Sequence, residues 1–312
     1  MKNKIPIAFA FDDSLVMPAV VCMTSLLENS KIDTFYDIFV IHSSKVSFAD
    51  TPLIKLSSIY SNCKISFIEV ETSFDACYEV RGITTPTYYR LLIPELISEY
   101  DKILYSDVDV IFRDDMSDFY NQDLDGYYLG GVDNCSFLRP DVQRYIKQEL
   151  GLDYKKGYFY AGNIVMNLSL MRQDKVVDKF KALSGRKYLQ QDMDILNIVC
   201  NGKIKSLSPE FCVTNYIYEL ILSQKNDLLS VYTEQDLSNA IKKGIIHYNG
   251  PKPWSQWCQN FDIWWDYYRK SCCFNELDAL NFYKNRMKDI DSLSLWKRVK
   301  LLFKYFIYGK AN

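Results

Sequence analysis

An α/β fold with an open, mostly parallel central sheet is what the sequence predicts, on three observations. Strand-like and helix-like segments alternate over the first third of the chain, the pattern of strands connected through helices on both faces of a sheet. Two of the strand-like runs end in clustered carboxylates, Asp12-Asp13 and Asp107-Val108-Asp109, and the carboxyl edge of such a sheet is where ligands bind. No internal repeat or low-complexity linker interrupts the pattern.

The elements follow in order. The short apolar run Ile5 to Phe11 reads as a first strand that Asp12-Asp13 ends. Leu15 to Glu28 has helical apolar spacing. Tyr36 to His42 is a second strand, Phe48 to Tyr60 a second helix and Cys63 to Val70 a third strand. Thr85 to Ile97 reads as a helix with Pro86 near its start. Lys102-Ile103-Leu104-Tyr105-Ser106 is a fourth strand ending at Asp107, and Val110-Ile111-Phe112 resumes the apolar run. Tyr127 to Val132 is a strand ending at Asp133. Tyr158 to Leu168 reads as one or two strands broken at Ala161-Gly162-Asn163, because glycine weakens a strand interior. Ser169 to Leu183 and Gln190 to Cys200 look helical. Ile245 to Tyr248 is a short strand running into the rigid turn Gly250-Pro251-Lys252-Pro253-Trp254. All five Trp lie in the last fifth of the chain, which reads as mostly helical.

With 312 residues, 48% of them hydrophobic and 24% charged, the composition is globular. A net charge of −2 gives no reason to expect a nucleic-acid partner. The nine Cys include no C-x-x-C pair, and several sit inside apolar runs, as in Val20-Val21-Cys22-Met23. They read as reduced core thiols, not a disulfide framework or a zinc site. The apolar run after the basic start stops at Asp12, too soon for a secretion signal, and no stretch has the length of a membrane span. A cytoplasmic location, with peripheral docking on the inner face of the plasma membrane, is the expectation.

Asp107-x-Asp109 is the most informative feature. Two clustered carboxylates repel unless a cation lies between them or one stays protonated. Within an apolar stretch they are costly to bury without a counter-ion, which weighs against a solvated turn. Oxygen ligands suit Mn²⁺ or Mg²⁺, ions that complete their shells with phosphate oxygens. His247, one of two His, ends a strand-like run. Such a residue is more often structural, yet neutral imidazole is a frequent metal ligand, and a third ligand is what the Asp pair lacks. His42, with no partner motif, is taken as structural. Lys252, between two prolines, would present a fixed point charge to a diphosphate, and Gly250 would let the backbone approach it. Asp12-Asp13 taken alone reads equally as a helix cap or a nucleotide contact; beside Asp107 and Asp109 on another strand of the same sheet, the nucleotide contact is the expectation. Arg90 is either a ligand contact or an ion pair, and Asp192 in Gln191-Asp192-Met193-Asp194 either a site carboxylate or a first-turn acid favoured by the helix dipole. Asp133 and Asn163 follow strand-like runs and could hydrogen-bond a polyol.

Taken in order, these residues resemble the family 8 glycosyltransferases, which include bacterial lipooligosaccharide galactosyl- and glucosyltransferases. The resemblance runs from about Ile5 to Trp254. It rests on Ala10-Phe11-Asp12-Asp13, Thr84 to Leu91, Lys102 to Asp109, Tyr158 to Leu168, Asp192-Met193-Asp194-Ile195-Leu196-Asn197 and His247 to Trp254. It implies a GT-A fold over residues 1–257, followed by a mostly helical region over 258–312. It also implies a UDP-hexose donor carrying galactose or glucose, Mn²⁺ with Mg²⁺ as the alternative, and transfer with retention to a glycan or lipid-linked acceptor. By position Asp107, Asp109 and His247 would hold the metal. Ala10, Asp12 and Ser14 would lie along the uridine, with Val108 and Asn163 also on the donor side. Arg90 and Asp192 would face the donor sugar, Asp133 would sit near the sugar or acceptor, and Gly250 and Lys252 would cradle the diphosphate. Three departures stand out. Ser14 replaces a common Asn, Tyr160 replaces an Asn before Ala-Gly, and Met193 replaces the Gln between the two Asp. Met cannot serve as a nucleophile or hydrogen-bond acceptor beneath the anomeric carbon.

Two enzyme classes and one binding class compete. A haloacid-dehalogenase-like phosphatase would use Asp107 as nucleophile, but its nucleophile strand usually lies near the N-terminus, and it gives His247 and Lys252 no role. A nucleotidylyltransferase would need a glycine-rich basic loop after the first strand, which is missing here. A non-catalytic nucleotide-sugar-binding protein would have no use for the full acidic, His and Lys set. The tail, residues 294–312, carries Lys297, Arg298, Lys300, Lys304 and Lys310 with no acid, and places Trp296, Val299, Phe303, Phe306 and Ile307 on one helical face. That pattern suits an interfacial helix drawn to anionic lipid; its rival is a helix packed on the protein or on a second subunit.

Overall fold

A computed structural model describes residues 3–43, 45, 47–71, 85–223 and 226–308. Thr84, Cys77 and Lys310 lie outside the described residues, as do the side chains of Lys304 and Ile307. Ten strands are described: β1 (Asn3–Ala10), β2 (Thr34–Ser43), β3 (Cys63–Val70), β4 (Lys102–Ser106), β5 (Val110–Ile111), β6 (Leu129–Asp133), β7 (Phe159–Asn167), β8 (Ile204–Ser206), β9 (Val213–Thr214) and β10 (Ile246–His247). Seven form one sheet in the order β3-β2-β1-β4-β7-β6-β8, and β5-β10-β9 form a small second sheet. In the large sheet β7 alone runs against its neighbours β4 and β6, and the other pairings are parallel. The sheet is mostly parallel, as the alternation predicts.

This topology positions the site. After β3 the chain returns to the other side of β1 to lay down β4. Where successive connections diverge in this way, a crevice opens beyond the carboxyl ends of the two strands. Those ends are followed by Asp12 and by Asp107.

The side-chain alternation of β1 shows why the sheet is covered on both faces. Ile5, Ile7 and Phe9 enter one core cluster with Val20, Met23 and Leu26 of the helix Val16–Glu28. Ala8 enters the opposite cluster with Tyr105, Ile195 and Leu196. A third cluster joins Val21, Ile111 and Ile246 to Trp264, Trp265 and Tyr268 of the helix Phe261–Lys270. It ties the small sheet to the Trp-rich region beyond residue 257. Two further helices, Glu276–Asp291 and Leu295–Tyr308, follow.

Several boundaries differ from expectation, each for a physical reason. β7 is continuous through Ala161-Gly162-Asn163 because Asn163 and Ile164 pair with Ser106 and Tyr105; the irregularity lies on β6, between Gly131 and Asp133. Thr85–Leu92 is a 3-10 helix that turns α-helical over Ile93–Leu96. Pro94 lacks the N–H that an α-helix would use to bond back four residues. The segment from Ser169 onward is two helices, Leu168–Gln173 and Val176–Ser184, separated at Lys175, whose φ is 51°. The second helix is shortened to Leu53–Ile59, starting after Pro52. Strands β8 and β9 and the helices Pro140–Gln148, Asn215–Leu222 and Glu234–Lys243 are additional.

One arginine fixes the small sheet. The Arg113 guanidinium donates to the carbonyls of Ala240, Ile241 and Gly244, each at 2.6 Å. These carbonyls lie at the end of the helix Glu234–Lys243, where a cation is favoured. Ile245 N then donates to Glu210 O at 2.7 Å and leads into β10.

Candidate active site

The acidic pair sits between β4 and β5. Asp107 N donates to Gly162 O at 2.7 Å, and Tyr248 N donates to Asp109 O at 2.9 Å, so both ends of the acidic turn are pinned by neighbouring strands. The antiparallel pairing of β5 with β10 sets His247 opposite Val110. His247 Nε2 lies 3.3 Å from Asp109 Oδ1 and 3.7 Å from Asp107 Oδ2. Its Nδ1 faces Cys212 Sγ at 3.5 Å, which fixes the ring with Nε2 toward the carboxylates. One ligand atom from each of Asp107, Asp109 and His247 falls within 4.8 Å of the others. Two hard oxygens and one imidazole nitrogen suit Mn²⁺ or Mg²⁺.

The backbone leaves room for a cation there. A Cβ on Gly162 would stand 2.4 Å from His247 Cε1 and 2.6 Å from Asp107 Oδ2. Any side chain at 162 would fill the space between the ligands, so the residues present fit a cation. This is also why glycine occurs inside β7: it marks close approach of the His247 and Asp107 side chains, not a break.

Charges around the trio are balanced pair by pair. Arg90 is 5% exposed. Its Nη2 reaches Asp107 Oδ1 at 2.8 Å and its Nε lies 3.0 Å from Asp192 Oδ2. Nη1 donates to Ala161 O at 2.7 Å, and the guanidinium lies 4.5 Å from the Tyr105 ring centroid. Arg90 therefore locks the orientation of one metal-ligand candidate and of the Asp192 carboxylate with one rigid fork. Lys252 Nζ bonds to Asp109 Oδ2 and donates to Tyr248 O at 2.6 Å. Burial opposes the Asp109 charge, but Lys252 and His247 outweigh it and hold this carboxyl below its ordinary range. Burial likewise opposes the charged form of His247, yet the Asp109 carboxylate, with Cys212, raises the imidazole from 6.5 to about 10. Asp192 is pushed up to about 6, first by burial and then by Asp107, against the pull of Arg90.

The other expected residues are placed as follows. Asp12 caps the 3-10 helix Asp13–Leu15, accepting from Ser14 N at 3.1 Å and from the Ser14 hydroxyl. The cap reading of Asp12 is thus observed, at the β1 end of the crevice, next to Ala10. Gly250 is exposed in the turn that carries Lys252. Val108 is buried in the core, 4% exposed. Asn163 is fully buried beneath the acidic turn and donates to Ser106 Oγ at 3.0 Å. Asp133, at the end of β6, bonds the Ser206 hydroxyl, and burial raises its carboxyl above the ordinary range. His42 Nδ1 donates to the Ser43 carbonyl at 2.9 Å, and the ring packs edge-on against Phe48. The eight described cysteines are free thiols.

Four contributors carry little sequence signal. Tyr105 OH donates to Asp107 Oδ1 at 2.9 Å, and Thr87 Oγ1 to Asp192 Oδ1 at 3.1 Å. Gln191, just before Asp192, holds φ 48° and ψ −120°, a strained backbone for a residue with a side chain. Asp194, fully buried, accepts from Tyr145 OH, Tyr158 OH and Gln190 N and so anchors the turn that delivers Asp192. The pairing of Arg90 with carboxylates from two distant segments is legible only in the fold.

Comparison with known proteins decides the class. The model of glycosyl transferase family 8 matches residues 6–258. The chain belongs to glycosyl transferase family 8. A protein of Haemophilus influenzae described as a candidate glycosyltransferase is 30% identical over 267 residues, covering 82% of this chain and 74% of that protein. Among solved structures, the galactosyltransferase LgtC in complex with donor and acceptor sugar analogues aligns with a TM-score of 0.73 and 26% identity, over 87% of this chain and 98% of LgtC. The bifunctional glycosyltransferase WbbM aligns with a TM-score of 0.71 and 21% identity, over 92% of this chain. The chain spans about half of WbbM, 52% of its length, and that likeness speaks for the fold alone. This family 8 glycosyltransferase has the GT-A fold, and membership of the family does not favour the phosphatase reading.

Two outcomes follow from the cradle. Gly162→Ala should abolish saturable Mn²⁺ binding by calorimetry while the circular dichroism spectrum stays native; unaltered Mn²⁺ affinity would contradict the cradle. With its imidazole raised to about 10 beside the Asp109 carboxylate, His247 would have to give up a proton to a binding cation. Mn²⁺ affinity should therefore rise about tenfold per pH unit between about pH 6 and pH 8. An affinity that levels off above about pH 7, as for an ordinary imidazole, would contradict the raised value.

Proposed function

We propose that this family 8 glycosyltransferase moves a hexose, galactose or glucose, from a UDP-sugar to a glycan or lipid-linked acceptor, with retention at the anomeric carbon. The observation that carries the reading is the meeting of Asp107, Asp109 and His247 within 4.8 Å, with Lys252 on Asp109 and Arg90 bridging Asp107 to Asp192. A buried acidic and His cluster rimmed by one mobile-stemmed cation and one rigid one is suited to a metal–diphosphate.

In this reading Asp107, Asp109 and His247 hold Mn²⁺, or Mg²⁺ in its place. A cation held there offsets the negative charge that builds on the diphosphate as the glycosidic bond breaks. Lys252 adds a second positive charge to the same leaving group. Ala10, Asp12 and Ser14 line the uridine side, Val108 and Asn163 support the donor from beneath the acidic turn, and Gly250 lets the Lys252 loop approach the phosphates. Arg90 holds the Asp192 carboxylate toward the sugar. With its proton lost at about 6, Asp192 is mostly ionised at neutral pH and supports positive character at the anomeric carbon. Asp133 serves the sugar or acceptor side. Met193, half-buried with its Sδ 3.9 Å from Asn134 Nδ2, offers no nucleophilic oxygen. The acceptor hydroxyl therefore attacks on the face the diphosphate leaves, and its proton passes to the departing diphosphate.

We further infer peripheral membrane docking through the helix Leu295–Tyr308. No helix among the described residues is long and apolar enough to cross a membrane. Yet this helix exposes Trp296 at 82%, Phe303 at 65% and Phe306 at 81%, with Lys297, Arg298 and Lys300 exposed beside them. That arrangement supports the lipid-surface reading over packing on the protein's own core.

UDP release from a panel of UDP-sugars, with Mn²⁺ and with EDTA, tests the chemistry. One UDP-hexose should give Mn²⁺-dependent release, and Asp109→Asn should lower it by about a hundredfold or more with the fold intact. Substantial Mn²⁺-dependent turnover in that variant would sink the metal assignment. Removing residues after Leu293 should keep UDP-hexose turnover and end co-sedimentation with anionic vesicles; a truncated protein that still sediments would show that the anchor is elsewhere.

A further inference from the structure

Tyr160 is one of the three departures from the family pattern, and its hydroxyl has a partner outside the sheet that carries it. The residue is 7% exposed, and its hydroxyl shares a hydrogen bond at 3.2 Å with Oγ1 of the fully buried Thr214. Tyr160 belongs to β7 of the large sheet, and Thr214 to β9 of the small one. The bond therefore crosses from one sheet to the other.

Both ends of that bond adjoin groups that hold the acidic and His trio. Thr214 is the direct partner of His247 in the parallel pairing of β9 with β10. Two residues back, Cys212 Sγ faces His247 Nδ1 at 3.5 Å. Between them, Val213 N donates to Ile245 O at 2.7 Å. Residues 212–214 thus support His247 as a unit. On the other side, the two residues after Tyr160 hold the remaining groups. Ala161 O accepts from Arg90 Nη1 at 2.7 Å, and Gly162 O accepts from Asp107 N at 2.7 Å. Three consecutive residues of β7 therefore reach Thr214, Arg90 and Asp107 in turn.

Ligands at a metal centre must be held to within about 0.5 Å, and losing an outer partner that orients one typically costs about 10–100-fold in metal affinity. β9 and β10 have two residues each. Strands so short have few ladder hydrogen bonds with which to fix their place against the large sheet. A buried side chain that spans the two sheets supplies that constraint. Thr214 Oγ1 also accepts from Ile217 N at 3.3 Å, as N-cap of the helix Asn215–Leu222, so its hydroxyl is held from two sides. We propose that Tyr160 is a positioning residue: through Thr214 it sets the place of His247 relative to Asp107 and Asp109, and with it the affinity of the trio for a divalent cation. The effect on a cation rests on the proposed metal site; the placement of His247 does not.

The chain has two histidines, so ring-labelled histidine in the full chain gives two sets of imidazole NMR signals, and the His247 set is the one lost in His247→Gln. Tyr160→Phe removes the hydroxyl and keeps the ring. In the metal-free protein it should shift the His247 signals and leave those of His42 in place. It should also weaken Mn²⁺ binding in calorimetry about tenfold or more, while Tm falls by only a few degrees. Thr214→Ser keeps the bonded hydroxyl and should hold both readouts at parent values. His247 signals unmoved in Tyr160→Phe, or Mn²⁺ affinity equal to the parent's, would overturn the proposal, because a purely structural Tyr160 lowers Tm and moves neither. An equal loss of affinity in Thr214→Ser would also overturn it, by placing the effect in packing. Absence of Mn²⁺ binding by the parent would overturn the metal reading alone, and the His247 signals would then decide the placement.

Discussion

The charge balance around Asp107 and Asp109 is the constraint on which the rest of the structure depends. Two carboxylates that end a buried strand cannot stay ionised alone. The fold answers with three cations from three separate parts of the chain: Arg90 on Asp107, and His247 and Lys252 on Asp109. Each needs its own support. Arg90 depends on the 3-10 segment Thr85–Leu92, His247 on the small sheet and Arg113, and Lys252 on the proline-stiffened turn held by Trp265. Much of the architecture beyond β4 can be read as delivering these groups to one place.

That balance also accounts for the site's chemical readiness. Arg90, His247 and Lys252 offset the carboxylates around Asp107 and Asp109, so the site need not reorganise those carboxylates before a donor arrives. Arg90 is buried, bonded on both branches, and keeps Asp107 and Asp192 in a fixed relation whatever occupies the centre. Burial, with Asp107, holds the Asp192 carboxyl nearer to neutrality against the pull of Arg90.

Much of this was legible in the sequence because it rests on short, strong signals. β4 is a five-residue apolar run ended by charge, and its bounds are those the sequence gives to a strand at Lys102–Ser106. His247 stands out because histidine is rare here and the residue ends a strand-like run. The less legible parts depend on distant neighbours. β5, β9 and β10 are two residues long, too short to show a period. Arg90 gives no local hint that it bridges two carboxylates. Gly162 does carry a signal, but glycine in a strand can mean a bend or close approach. Only the His247 and Asp107 atoms beside it show that here it means close approach.

The most direct test of the account is anomalous diffraction at the manganese edge from crystals grown with UDP and Mn²⁺. The account predicts one strong peak bounded by Asp107, Asp109 and His247 and touching the diphosphate, with Lys252 turned from Asp109 to a phosphate oxygen. UDP bound with no metal at that trio, or manganese bound elsewhere with Lys252 still on Asp109, would contradict it.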